Sequence, residues 1–147
     1  MSSLISDIST HGTAPVLSRL LEFAGQRQRL LAHNIANMET PDFRPLDVST
    51  RGFQQALAKA VDERRAATGG THGSLNLEST DEVQVRHGRL TLTPRTPSGN
   101  VLYHDRNNRD LERMMQDLAE NSLMFRTAAD LLRREHELLR TAISQRV

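Results

Sequence analysis

Six histidines, His11, His33, His72, His87, His104 and His136, are the side chains here best suited to hold a metal ion or pass a proton. A zinc site needs its ligands in short, regular spacings, and these six are scattered along the chain without one. Closer together stand the carboxylates Asp110 and Glu112, Asp117 and Glu120, and Glu135 and Glu137. Each pair sits in a helix-like pattern with basic neighbours, so a solvated face explains them better than a general acid and base. Gly69-Gly70 lacks the Gly-Lys-Ser/Thr that a phosphate loop requires. Arg64-Arg65 and Arg133-Arg134 carry no interleaved aromatics, which argues against a nucleic-acid surface. Without cysteine there is neither thiol chemistry nor a disulfide, and no nucleophile–base pair suggests a cofactor-free hydrolase. The residues point to no enzyme, no metal, no cofactor and no small-molecule substrate. What remains is hydrogen-bonding chemistry, concentrated in Asn34-Ile35-Ala36-Asn37 followed by Thr40-Pro41-Asp42-Phe43. Asparagine caps helix ends, and proline cannot continue a helix and biases the residue before it to extended geometry.

The element that carries those asparagines is legible from its period. From Pro15, a first-turn residue after the Gly12-Thr13 loop, apolar positions fall at Leu17, Leu21, Ala24, Leu31, Ile35 and Met38, with Gln28 in the one polar slot. Those steps of four and three predict a helix over about residues 14 to 38, widened by Leu20 and Leu30 for more than one neighbour. Gly25 inside it suggests a close contact. The last third is more regular: Leu111, Met115, Leu118, Ser122, Phe125, Ala129, Leu132, His136, Leu139 and Ile143 step four-three without a break. Asp110 suits its N-cap, and Arg140 and Arg146 suit its C-terminal dipole. A second apolar line, Met114, Leu131, Leu138 and Ala142, runs beside the first. The two helices are expected to pair as an antiparallel hairpin, with Gln28, Ser122 and a partly buried His136 fixing register. A two-stranded pairing does not use both lines, so apolar surface is left for assembly.

Between them, Phe53, Leu57, Ala60 and Val61 mark a short amphipathic helix over residues 51 to 64, and Ala66 to Ser74 reads as a glycine-rich loop. Leu75-Asn76-Leu77, Val83-Gln84-Val85 and Leu90-Thr91-Leu92 alternate apolar and polar as short strands do, with His87-Gly88-Arg89 a turn and Val101-Leu102-Tyr103 a last extended piece. The fold class is therefore mainly α, two long terminal helices with a small β-rich, irregular middle insertion. Its divisions are a flexible segment 1–11, a helix 12–40, a motif loop and short helix 41–65, a loop and β-rich insertion 66–106, and a helix 107–147. Aromatics are only 3% of the 147 residues, too few for a thick core, which favours an elongated chain whose stripes are covered by partners. Ordering two long helices in a thin hairpin is entropically costly, so full helix formation is expected to accompany assembly. Net charge is +1, so no global field draws the chain to nucleic acid or anionic lipid. No apolar run reaches the length of a membrane span, and residues 1–10 lack a cleavable signal layout.

The Asn34–Phe43 string resembles the motif of the bacterial flagellar axial proteins, the rod, hook and hook-associated subunits: Asn34, Ile35, Ala36, Asn37, Thr40 and Pro41 match it. Asn107 to Glu112 and Leu118 to Leu123 resemble the C-terminal helix of the proximal-rod branch of that family. Other branches tend toward an Arg-Ala-Tyr-Gln-Ala-Asn type of ending where this chain has Phe125 to Asp130. It departs from the family's usual Gly-Tyr after the motif proline, having Asp42-Phe43, and has Arg109 where a small apolar residue is common. The resemblance implies a structural subunit of the basal-body proximal rod, in the periplasmic space, whose terminal helices (domain D0) pack into the tube of the flagellar drive shaft. Implied partners are further copies, other rod subunits, the membrane-ring adaptor (FliE-type) and the flagellar type III export gate, with export needing no cleavable signal peptide. The expected assembly seam is Leu17, Leu21, Leu31, Ile35, Leu111, Met115, Leu118, Phe125, Leu132, Leu139 and Ile143. Phe53 and Leu57 fit an export-gate pattern and equally one face of a helix. Asn34 and Asn37 are expected to bond between neighbouring helices. The alternative is a soluble helical-hairpin adaptor or secretion chaperone that does not polymerise.

Overall fold

The computed structural model describes residues 12–70, 72–96 and 111–145. The 1–11 segment, the extended piece at 101–103, residues 107–110 with the expected N-cap Asp110, and Arg146 lie outside them. Among the described residues there are three helices, α1 (Ala14–Ala36), α2 (Thr50–Thr68) and α3 (Leu111–Ser144), and one hairpin, β1 (Val83–Arg86) with β2 (Arg89–Leu92). This is the mainly α architecture expected. α1 and α3 run antiparallel, and α1 lies between α3 on one side and α2 with the hairpin on the other.

Each helix begins and ends for a local reason. Thr13 caps α1 without using its own side chain on the helix. Instead Glu135 of α3 accepts from Thr13 N at 3.0 Å and from Thr13 Oγ1 at 2.5 Å, a carboxylate set against a helix N-terminus where the dipole favours it. α1 stops at Asn37, whose Nδ2 donates to His33 O at 2.8 Å. Ser49 Oγ accepts from Gly52 N at 3.0 Å to start α2, and Gly69 at φ 68° ends it. α2 thus runs through Ala66, Ala67 and Thr68, residues expected to be loop; alanine favours helix, and the stop waits for the first residue at ease in the left-handed region.

The hairpin pairs Val83 with Leu92 and Val85 with Leu90 around His87 (φ 50°) and Gly88 (φ 75°), the two left-handed residues that suit a tight two-residue loop. Leu75-Asn76-Leu77 forms no strand; Leu77 is buried directly into the core from extended chain. That core is made of Phe23 from α1, Val48 from the loop before α2, Phe53, Leu57 and Ala60 from α2, Leu77, Val83 and Leu90. The Phe23 and Phe53 rings stack with centroids 4.0 Å apart and planes within 2°. α1 also grips the hairpin by polar contacts, Gln26 Nε2 to Leu90 O at 2.6 Å and Arg19 to Gly88 O at 2.8 Å. The terminal helices are therefore not a lone thin hairpin: α1 is packed on two sides within one chain.

Candidate assembly interface

Three polar clamps set how α1 meets its neighbours. The first is the motif asparagine. Asn34 is buried, donates from Nδ2 to Leu46 O at 2.6 Å and accepts from Leu46 N at 3.2 Å. It closes the loop after the proline by satisfying both backbone groups of one residue, so its partner is its own chain and not a neighbouring helix. Asn37 likewise bonds within α1. The spacing could not reveal this, because a two-pronged amide serves a loop backbone as well as another helix. Ile35 is half-buried, while Ala36, Thr40 and Pro41 are exposed.

The second clamp is Arg27, buried in α1 and bidentate to Asp47: Nε to Oδ1 at 2.9 Å, Nη2 to Oδ2 at 2.7 Å, with Asp117 of α3 at 3.8 Å. Burial by itself would lower the Arg27 pKa; the hydrogen bonds and charge of Asp47, with Asp117 and Glu120, outweigh it and hold it above its ordinary value. Burial raises the Asp117 carboxyl above the usual range against the opposing pull of Arg27. Asp47 in turn exchanges two backbone bonds with Arg95, both 2.9 Å, so one guanidinium ties together α1, the motif loop and the chain leaving the hairpin. A charge in mid-helix reads as solvent-facing by pattern alone. Its place on the line of Val16, Leu20 and Phe23 was the available signal.

The third clamp lies between α1 and α3. Asn121 is 1% exposed and donates from Nδ2 to Ala24 O at 2.9 Å and to Gln28 Oε1 at 2.7 Å, while Gln28 Nε2 donates to Ser122 Oγ at 3.0 Å. Gln28 and Ser122, the expected register pair, do meet. Asn121 was missed as their centre because it falls off the heptad stripe. Phe125 lies over Gly25, with a ring carbon 3.6 Å from where a Cβ on that glycine would stand.

Around these clamps the expected seam residues divide. On α1, Leu17 and Leu31 are buried and Leu21 and Ile35 half-buried. On α3 the buried line is Asn121 and Ala128, continued by Glu135 on Thr13. Leu118, Leu132 and Leu139 are half-buried beside it, whereas Leu111, Met115, Phe125 and Ile143 are 41–60% exposed. His136, expected to be partly buried, is exposed. On the opposite shoulder Leu131 and Leu138 are also exposed. Counting 100° per residue, an apolar arc well over 100° wide runs along α3, and α1 covers its centre only. A cleft of about 490 Å³ borders the first shoulder at Leu21, Ala129 and Leu132, and one of about 590 Å³ borders the second at Leu20, Met124 and Leu131.

Phe53 and Leu57 are 1% and 7% exposed, at the centre of the core. In the folded chain neither offers a side chain to a receptor. Among the described residues no three His, Asp or Glu side chains converge on a metal-sized site, and no helix is long and apolar enough to cross a membrane. Asp42, directly after the motif proline, sits at φ 59°, a left-handed turn that aspartate tolerates better than most residues. Phe43 follows it edge-on to His33, ring centroids 5.7 Å apart.

No protein-family model matches the chain. It is 34% identical over 115 residues to the flagellar basal body rod protein FlgB of Yersinia enterocolitica, covering 76% of this chain and 79% of that protein. The FlgB proteins of Salmonella typhimurium (32%) and Escherichia coli K12 (30%) are similar over 76% of this chain and 78% of their own lengths. With that identity over 76% of its length, the chain belongs to the FlgB family of flagellar basal body rod proteins.

Proposed function

We propose that this chain is a structural subunit of the flagellar rod that assembles side by side with further copies and other rod subunits through the two uncovered shoulders of α3. The observation that carries the reading is the exposed apolar set Met115, Phe125 and Ile143 on one shoulder and Leu131 and Leu138 on the other. Burying such a side chain from full exposure is worth about 1.5–3 kcal/mol, and at 41–71% exposed these five each retain roughly half of that as a drive toward contact. Two different shoulders on one helix suit heterologous contacts, in which one surface meets a different surface of the next copy and the assembly does not close. The finer reading is a helical tube at the proximal rod in the periplasmic space, adjoining the FliE-type adaptor, with export through the type III gate. A Phe53–Leu57 export signal is compatible with it only while the segment is unfolded, since both side chains are core residues once it folds.

The test is complementation of a strain lacking this chain, followed by fractionation of basal bodies. The parental chain is expected in the rod fraction. Met115→Asp and Phe125→Asp, at positions half open to solvent, are expected to keep their helical circular dichroism and be lost from rods. A chain that stays in the cytoplasm and never enters basal bodies refutes the rod reading in favour of the adaptor or chaperone.

A further inference from the structure

We infer that the Asn121–Gln28 amide pair is a rotational lock, holding α3 so that its most apolar stripe stays at the half-covered edge of the seam instead of turning fully onto α1. The line α3 presents to α1 runs through Asp117, Asn121, Ala128 and Glu135. The stripe of Leu118, Phe125, Ala129 and Leu132 lies roughly 60° round the helix from it. Turning α3 by that angle would replace an amide and two carboxylates at the seam with two leucines, a phenylalanine and an alanine. Apolar burial alone favours the turned arrangement. The observed one is held by directional contacts that exist at a single rotation: Asn121 Nδ2 to Ala24 O and Gln28 Oε1, and Gln28 Nε2 to Ser122 Oγ.

Asn121 Oδ1 is buried and accepts no hydrogen bond among the described residues. An amide left half-paired in a helix seam gives up stability, and buried asparagines in helical pairings are known to trade stability for one defined register. Here the register secured is the one that leaves Phe125 41% exposed at the edge of the seam, with Leu118, Ala129 and Leu132 half-buried beside it. The purpose assigned to that stripe rests on the rod reading; the lock itself does not.

The chain contains no tryptophan, so Phe125→Trp and Leu138→Trp each provide a sole reporter, one per shoulder. Both are read in the free full-length chain by acrylamide quenching and emission wavelength, with Asn121 and Gln28 intact and with Asn121→Leu/Gln28→Leu. Removing the lock is expected to raise Tm by about 3–6 °C. Quenching of the residue-125 reporter should fall at least about twofold with a blue shift, as expected for a ring moved into close packing, while the residue-138 reporter stays open. Asn121→Ala, which adds no bulk, gives the same quenching readout, without the gain in Tm, should the double variant misfold. A residue-125 reporter equally open with and without the amide overturns the lock, whatever Tm does. Because both readouts come from the unassembled chain, they decide the lock separately from the basal-body fractionation that decides the rod reading.

Discussion

Phe53→Ala removes the ring at the centre of the core and, by the geometry around it, destabilises the fold severely. Phe53 is 1% exposed, stacks on Phe23 at 4.0 Å, and shares its cluster with Val48, Leu57, Leu77, Val83 and Leu90, drawn from the loop before α2, from α2, from extended chain and from both strands. Neighbours held by so many separate elements cannot collapse into the space together, so the transfer and cavity terms both apply, about 3–5 kcal/mol. Against a total of about 5–15 kcal/mol that is at least about a fifth of the stability, and at 2–4 °C per kcal/mol it lowers Tm by roughly 6–20 °C. Thermal melts followed by circular dichroism measure it, and a Tm within about 2 °C of the parent would refute the core assignment. A Phe53 that served export alone would spare the fold. Phe23→Ala is the matched control in a secretion assay, since it damages the same core from outside the export pattern. Secretion lost in Phe53→Ala and kept in Phe23→Ala identifies a signal; equal behaviour leaves Phe53 as a core residue only.

Asn34→Ala leaves the N–H and C=O of Leu46 without their partner and is expected to cost about 2–4 kcal/mol, read as a lower urea midpoint with unchanged m-value; a midpoint equal to the parent's would show the loop is held by Arg27 alone. Asp42→Gly relieves a left-handed aspartate and is expected to stabilise by up to about 1 kcal/mol, a gain that a drop in Tm would contradict. Asp117 carries a folded-state pKa raised by burial, so its favourable contribution is full below its unfolded value of 3.8 and is lost as pH rises through the raised folded value. Asp117→Asn should therefore raise Tm at pH 7 relative to the parent and lose that advantage near pH 3; a lower Tm at pH 7 would mean the Arg27 contact outweighs the burial.

Helix existence and type were legible because period and punctuation agreed: Pro15 opens α1, Asn37 ends it, and His87-Gly88 turns the hairpin. What could not be read was the phase of α3 against α1. A seven-residue stripe on a straight helix drifts about 20° per heptad, so over the 34 residues of α3 it slips by roughly 100°. Leu111 and Met115 accordingly stand far round from α1 and are exposed, while Leu139, four heptads on, has come round to half burial. A period names the residues of a stripe; the partner's polar atoms decide which part of it is covered. In this chain those atoms are Ala24 O, Gln28 Oε1 and Thr13 N, met by Asn121 and Glu135. Pattern reading assigns asparagine and glutamate to the outside by default. The same default hid Arg27, and Asn34, expected to bond a neighbouring helix, is buried with it on α1 because each has a specific partner in the motif loop. The buried polar residues therefore set the geometry, and the apolar residues they displace from the seam form the surface that α3 leaves open.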